Sequence, residues 1–91
     1  MLIKTYENRV LNSRYIRGYA VERADRARSY PNGTGTTTHH GAPESGFVVV
    51  AWMDSKGFIT DGLAETEAQR VLDELLKAYA DGERVFDARH A

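Results

Sequence analysis

The sequence predicts an α+β domain: an antiparallel, meander-like sheet of four to six strands with one C-terminal helix packed on one face. Three observations carry this. Short runs of β-branched and aromatic residues, bounded by turn residues, fill the first two thirds of the chain. A single segment near residues 66–80 has helical apolar periodicity. No helical segment separates the early strands, so sequence neighbours are expected to pair antiparallel. With 91 residues, 42% of them hydrophobic and 27% charged, the chain has the makeup of one globular domain spanning residues 1–91.

Taken in order, residues 1–6 read as a first strand, Asn8 as a turn residue and residues 9–11 as a short second strand. Residues 15–24 read as a longer strand, rich in aromatic and β-branched types and free of proline. Residues 29–46 differ. They hold both prolines and four of the eight glycines, and Pro31-Asn32-Gly33 is a strong turn signal. This Gly/Thr/Pro-rich stretch is expected to be a long loop or the tip of a long hairpin. Residues 47–53 are seven consecutive apolar residues and form the clearest strand. A turn at residues 54–57 leads to a further strand over residues 58–63.

The helix follows. Thr66 is read as its N-cap, with Gln69 at the capping-box spacing. Ala68, Val71, Leu72, Leu75, Leu76 and Tyr79 recur at i, i+3, i+4 and i+7 and predict one apolar face. Gly82 is placed to end the helix in a left-handed conformation. Residues 84–88 are read as a short last strand or an extended tail.

Alternation along residues 47–53 puts Phe47, Val49, Ala51 and Met53 on one face and Val48, Val50 and Trp52 on the other. Both faces are apolar, and one helix covers only one of them. The second is expected to be covered by a curl of the sheet, by the long loop or by a second copy of the chain. The favoured reading is a homodimer through the sheet, with Val48, Val50 and Trp52 as the candidate protein interface.

Composition removes several function classes. The chain has no cysteine, which excludes a disulfide scaffold, a cysteine-ligated zinc site, an iron–sulfur cluster and thiol catalysis. No apolar run approaches the length of a membrane-spanning helix, so no membrane partner is expected. The N-terminus turns polar after Ile3, which predicts no secretory signal and a cytoplasmic location. The formal net charge of −1 hides an asymmetry. Residues 1–30 carry seven basic and three acidic side chains, and the remainder five basic and ten acidic.

The basic third supplies a second candidate site. Arg17-Gly18-Tyr19-Ala20 matches the opening of the RNA-recognition signature, but Val21 stands where a further aromatic is required. The strand order also argues against that fold. What remains is a set of arginines interleaved with tyrosines: Arg14, Tyr15, Arg17, Tyr19 and Arg23. By parity Tyr15, Arg17, Tyr19 and Arg23 are expected on one strand face, where a single-stranded nucleic acid would find phosphate contacts and stacking surfaces. Nucleic acid is the alternative partner, not the favoured one.

His39 and His40 point to opposite sides of any strand and so do not form a metal site together; solvated histidines are the simpler reading. No serine lies in a nucleophile elbow, and Gly33 with Gly35 lacks the phosphate-loop context. Asp54 and Asp61 flank a hairpin and are explained as turn-capping groups. No catalytic residue, metal or cofactor is therefore expected, and the chain is read as a non-enzyme.

Finally, the short N-terminal strands, the valine-rich strand and hairpin, and the run Glu67-Ala68 followed by Val71-Leu72-Asp73-Glu74-Leu75 resemble small uncharacterised bacterial and phage-associated α+β proteins. These end in an amphipathic helix of the "EA..VLDEL" type. The resemblance covers residues 1–25 and 46–88, with residues 29–45 as an insertion. It implies the fold and a bacterial or phage origin, and transfers no site residue.

Overall fold

Strand β1 (Leu2–Lys4) turns back at once into β2 (Val10–Asn12), and the two pair antiparallel. The turn is closed by Thr5 N–H donating to the Arg9 carbonyl at 2.8 Å and Asn8 N–H to the Thr5 carbonyl at 3.0 Å. Asn8 sits at φ 64°, a left-handed conformation that asparagine tolerates better than most residues. The computed structural model describes residues 1–25, 43 and 45–90. The expected hairpin or loop at 29–46 therefore lies outside the described residues apart from 43, 45 and 46, as do His39 and His40.

After β2 the chain makes a 3-10 turn, Ser13–Tyr15, capped by Asn12 Oδ1, which accepts the Arg14 N–H at 3.0 Å. Strand β3 (Gly18–Arg23) then pairs antiparallel with β4 (Phe47–Trp52) along its whole length, and β4 with β5 (Lys56–Phe58). Helix α1 (Glu65–Ala80) follows, and β6 (Val85–Asp87) ends the sheet structure.

The class is α+β with one helix among the described elements, as expected, but the meander is not. There are two three-stranded sheets, ordered β2-β1-β6 and β3-β4-β5. The last strand pairs parallel with β1, Leu2 opposite Val85. The two strands come from opposite ends of the chain, so no hairpin ties them and their direction is not bound to be antiparallel. Tyr6 N–H donates to the Ile59 carbonyl at 3.0 Å and stitches one sheet to the other.

Several boundaries move for local reasons. The strand expected over 15–24 starts at Gly18, because the Asn12 cap holds Tyr15 in the 3-10 turn. The strand expected over 58–63 stops at Phe58 because the chain bulges. Val49 accepts the Ile59 N–H on its carbonyl at 2.8 Å but gives its own N–H to Thr60 Oγ1 at 3.1 Å. Pairing resumes between Phe47 and Leu63, which exchange both hydrogen bonds at 2.8 Å. That bridge pins Leu63, so the chain must turn into the helix immediately. The helix therefore begins two residues earlier than expected. Ala64, not Thr66, is the N-cap, and no side chain caps the turn. Glu65 and Glu67 in the first turn still suit the positive helix end.

The C-terminal stop is as expected. Gly82 takes φ 75°, its N–H reaches the Tyr79 carbonyl at 3.1 Å, and the Glu83 N–H reaches the Ala78 carbonyl at 3.0 Å. This is a Schellman closure.

Two apolar clusters result. Ala68, Val71, Leu72 and Leu75 of the helix pack on Val49, Ala51, Ile59, Ile3 and Phe86. Each large side chain buried there contributes roughly 1.5–3 kcal/mol of transfer free energy. On the opposite face of β4, Val48, Val50, Ala24 and Phe58 form a second cluster, flanked by Tyr6 and Ala20.

Candidate interaction surfaces

The second cluster decides the first candidate interface. Val48 and Val50 are 0% exposed within the single chain. A second copy is not needed to cover them. Of the three predicted interface residues only Trp52 keeps partial exposure, and the Lys56 ammonium lies 4.5 Å from its ring centroid. Lys56 is itself buried, 2.9 Å from Glu22 Oε1, while Glu22 Oε2 is buried without a hydrogen-bond partner among the described residues. The face for which a second copy was the favoured cover is thus already buried in one chain, where Ala24, Phe58, Tyr6 and Ala20 cluster with its valines.

The arginine–tyrosine set is not assembled on one strand face either. Tyr15 is exposed but stands in the 3-10 turn, outside β3. Tyr19 packs against the helix-side cluster, and burial, with Tyr79 close by, raises its phenol above the ordinary value. Arg17 pairs with Asp54 at 3.1 Å and Arg23 with Asp25 at 3.4 Å, all four side chains being solvent-exposed. Arg14 is exposed beside Tyr15. Two of the arginines therefore already face carboxylates. Asp54 is one of them, and so does more than cap its turn. Asp61 does cap its own: its Oδ1 accepts the Gly62 N–H at 2.8 Å.

A surface that sequence reasoning missed is the outer edge of β3. The Ala24 N–H donates to the Gly46 carbonyl at 2.8 Å, in register with the β3–β4 ladder. Antiparallel bonding alternates, so residues 18, 20 and 22 turn their backbone groups toward β4. Tyr19, Val21 and Arg23 turn theirs outward, and no described strand pairs with them. The helix packs on both β3 and β4. Leu76 and Tyr79, both assigned to the apolar face, are 46% and 59% exposed, whereas Leu72 and Leu75 are buried. Tyr19 lies beneath the Tyr79 end. At the other end Val21 and Phe47 line a cleft of about 350 Å³ with Glu65, Thr66 and Gln69. This cleft, the exposed Leu76 and Tyr79, and an edge that no described strand pairs thus lie along one side of the molecule. The signal was present in the sequence, since the helical stripe is wider than a three-stranded sheet requires. The position of β3 at the sheet edge was not.

A second, smaller cleft of about 250 Å³ opens where the two sheets meet the helix, lined by Tyr6, Thr60, Asp61, Leu63 and Arg89 among others. Burial, with Glu7 and Asp61 nearby, pushes the Tyr6 phenol up to about 12. Arg89 does not reach freely into this cleft. It grips Asp87, lowering that carboxyl to about 2, and also donates to Asn8 Oδ1 at 3.2 Å. Among the described residues no cluster of three metal-ligating side chains exists, and no helix is long and apolar enough to cross a membrane.

No known protein family, curated protein or solved structure matches this chain.

Proposed function

We propose that the chain is a small non-enzymatic protein-interaction module that makes its contact by strand addition at the outer edge of β3. One observation carries the reading: the outward N–H and C=O groups of Tyr19, Val21 and Arg23 meet no described strand, beside a helix whose Leu76 and Tyr79 are exposed. Edge strands that must stay single are usually shortened, broken by proline or guarded by lysine. Strand β3 is six residues long and has neither proline nor lysine. An added strand would lie about 4.8 Å beyond β3 and bring alternate side chains under Leu76 and Tyr79.

The test is selection of an extended-peptide library on sparsely immobilised chain, repeated with Val21→Pro. Proline removes one outward N–H without touching the ladder to β4. Enriched sequences should alternate apolar residues and should lose binding to the variant, whose fold is checked by circular dichroism. No enrichment, or binders indifferent to Val21→Pro, would overturn the reading.

A further inference from the structure

Resting on that reading, we infer that the strand added to β3 is the β3 of a second copy, paired antiparallel about a two-fold axis through Val21. Three constraints select this arrangement.

First, the axis must be normal to the sheet, because only that rotation makes a strand antiparallel to itself while continuing the sheet. Opposed residues then share a face, and a slip by one residue would turn apolar side chains to the wrong side.

Second, the outward backbone groups belong to Tyr19, Val21 and Arg23. With Val21 on the axis, Val21 faces Val21 and Tyr19 faces Arg23 of the second copy. These three pairs would exchange about six backbone hydrogen bonds.

Third, charge separates this register from its neighbours. At each end of the ladder, exposed Arg17 approaches the helical turn at residues 24 and 25 of the second copy, where exposed Asp25 would compete with Asp54 for its guanidinium. Tyr19 opposite Arg23 sets an aromatic face against a guanidinium. Moving the axis to Ala20 would set Arg17 against Arg23, two like charges at each end. Moving it to Glu22 would set two carboxylates face to face. Strand β3 is complementary to itself in one register, which an arbitrary peptide acceptor has no reason to be.

The chain has no cysteine, so one introduced thiol reports cleanly. In the proposed register the two Val21 Cα atoms stand about 5.5 Å apart, within disulfide range. Val21→Cys should therefore give a covalent dimer under mild oxidation, and the exposed control Ser55→Cys should not. Light scattering should give a mass near twice 10.2 kDa at high concentration. Arg17→Asp should raise the dimer dissociation constant at least about tenfold, Asp25→Arg should do the same, and the double reversal should recover most of the loss. All three are surface changes, so folding is not at stake.

A monomer at every concentration, with no crosslink, would overturn the inference. Peptide binding lost in Val21→Pro would then leave the strand-addition reading standing with a foreign partner. A dimer that forms but ignores Val21→Pro and Arg17→Asp would overturn both. A dimer sensitive to Val21→Pro, yet without charge rescue, would keep the edge and overturn the register.

Discussion

Substitution of glycine by alanine at four positions should produce a graded series that tests how the second sheet is locked to the helix. A Cβ placed on Gly62 would lie 1.8 Å from the Ser45 carbonyl oxygen, a backbone atom that cannot rotate away. Restoring an ordinary contact requires the two backbones to part by more than about 1 Å. That breaks the adjacent Phe47–Leu63 pair, whose two hydrogen bonds are each worth about 1 kcal/mol. Adding an overpacking cost of about 1–3 kcal/mol, Gly62→Ala should lose roughly 3–5 kcal/mol, or about 12 °C or more in Tm for a domain of this size. Gly46→Ala should also be costly, because Gly46 has φ 84° and its Cβ would meet the Leu63 carbonyl at 2.9 Å. Gly57→Ala meets only the ends of the Met53 and Leu11 side chains, at 2.9 and 3.2 Å, and should cost under about 1 kcal/mol. Gly18→Ala meets nothing within 4 Å and should stabilise by about 0.5 kcal/mol by restricting the unfolded chain. Urea unfolding followed by circular dichroism gives the order directly. Equal stability of Gly62→Ala and the parent, or equal losses at residues 57 and 62, would refute the packing argument.

Three further outcomes are expected. Lys56→Met should destabilise by about 2–3 kcal/mol, because it strands the Glu22 carboxylate, whereas combining Lys56→Met with Glu22→Leu should lose much less; a double-mutant cycle in urea measures the difference. Leu75→Ala should cost about 2–5 kcal/mol and Leu76→Ala under about 0.5 kcal/mol in the monomer, although the two are neighbours, since only Leu75 is fully buried. Tyr6 should make stability fall between pH 10 and about 12: its phenol stays protonated in the folded chain up to about 12, while in the unfolded chain it ionises near 10. The unfolded state then binds fewer protons, so folding is disfavoured as pH rises, and Tyr6→Phe should flatten this alkaline limb and remove a late phenolate step at 295 nm.

How far the sequence could be read depended on the range of the interactions that decide each feature. The 47–52 strand, the Asn8 turn and the Gly82 helix stop were legible because neighbouring residues determine them: a valine run, a residue that tolerates positive φ, and a glycine after an apolar stripe. The helix start was misplaced because a distant residue sets it, Phe47 pinning Leu63 and forcing the turn at Ala64. The parallel pairing of β6 with β1 was hidden for the same reason, since it joins the two ends of the chain. At the candidate sites, parity failed for Tyr15 because the 3-10 turn interrupts the alternation between it and Gly18. It succeeded for Val48 and Val50, which do share a face; what it could not supply is that Phe58, Ala24 and Tyr6 pack on that face.

The width of the helix's apolar stripe bears on the same contact. Four positions, Ala68, Val71, Leu72 and Leu75, are enough to cover the sheets this chain provides, and they are the buried ones. Leu76 and Tyr79 continue the stripe past the edge of β3 into solvent. In an isolated monomer those two positions have no packing reason to be apolar. In the two-fold arrangement β3 of one copy joins β3 of the other into one six-stranded sheet, with both helices on the same face and their overhangs turned toward the shared centre. Each overhang then covers the strand contributed by the other copy. The same feature that left the chain's own core with a surplus of apolar helix surface would supply the cover that a wider sheet lacks, and the polar Glu65, Gln69 and Asp73 that border it would form the rim. A partly exposed helix face and a strand edge that no described strand pairs would complete each other in two copies, and that is the physical basis for proposing the contact at β3 and not on the buried valines of β4.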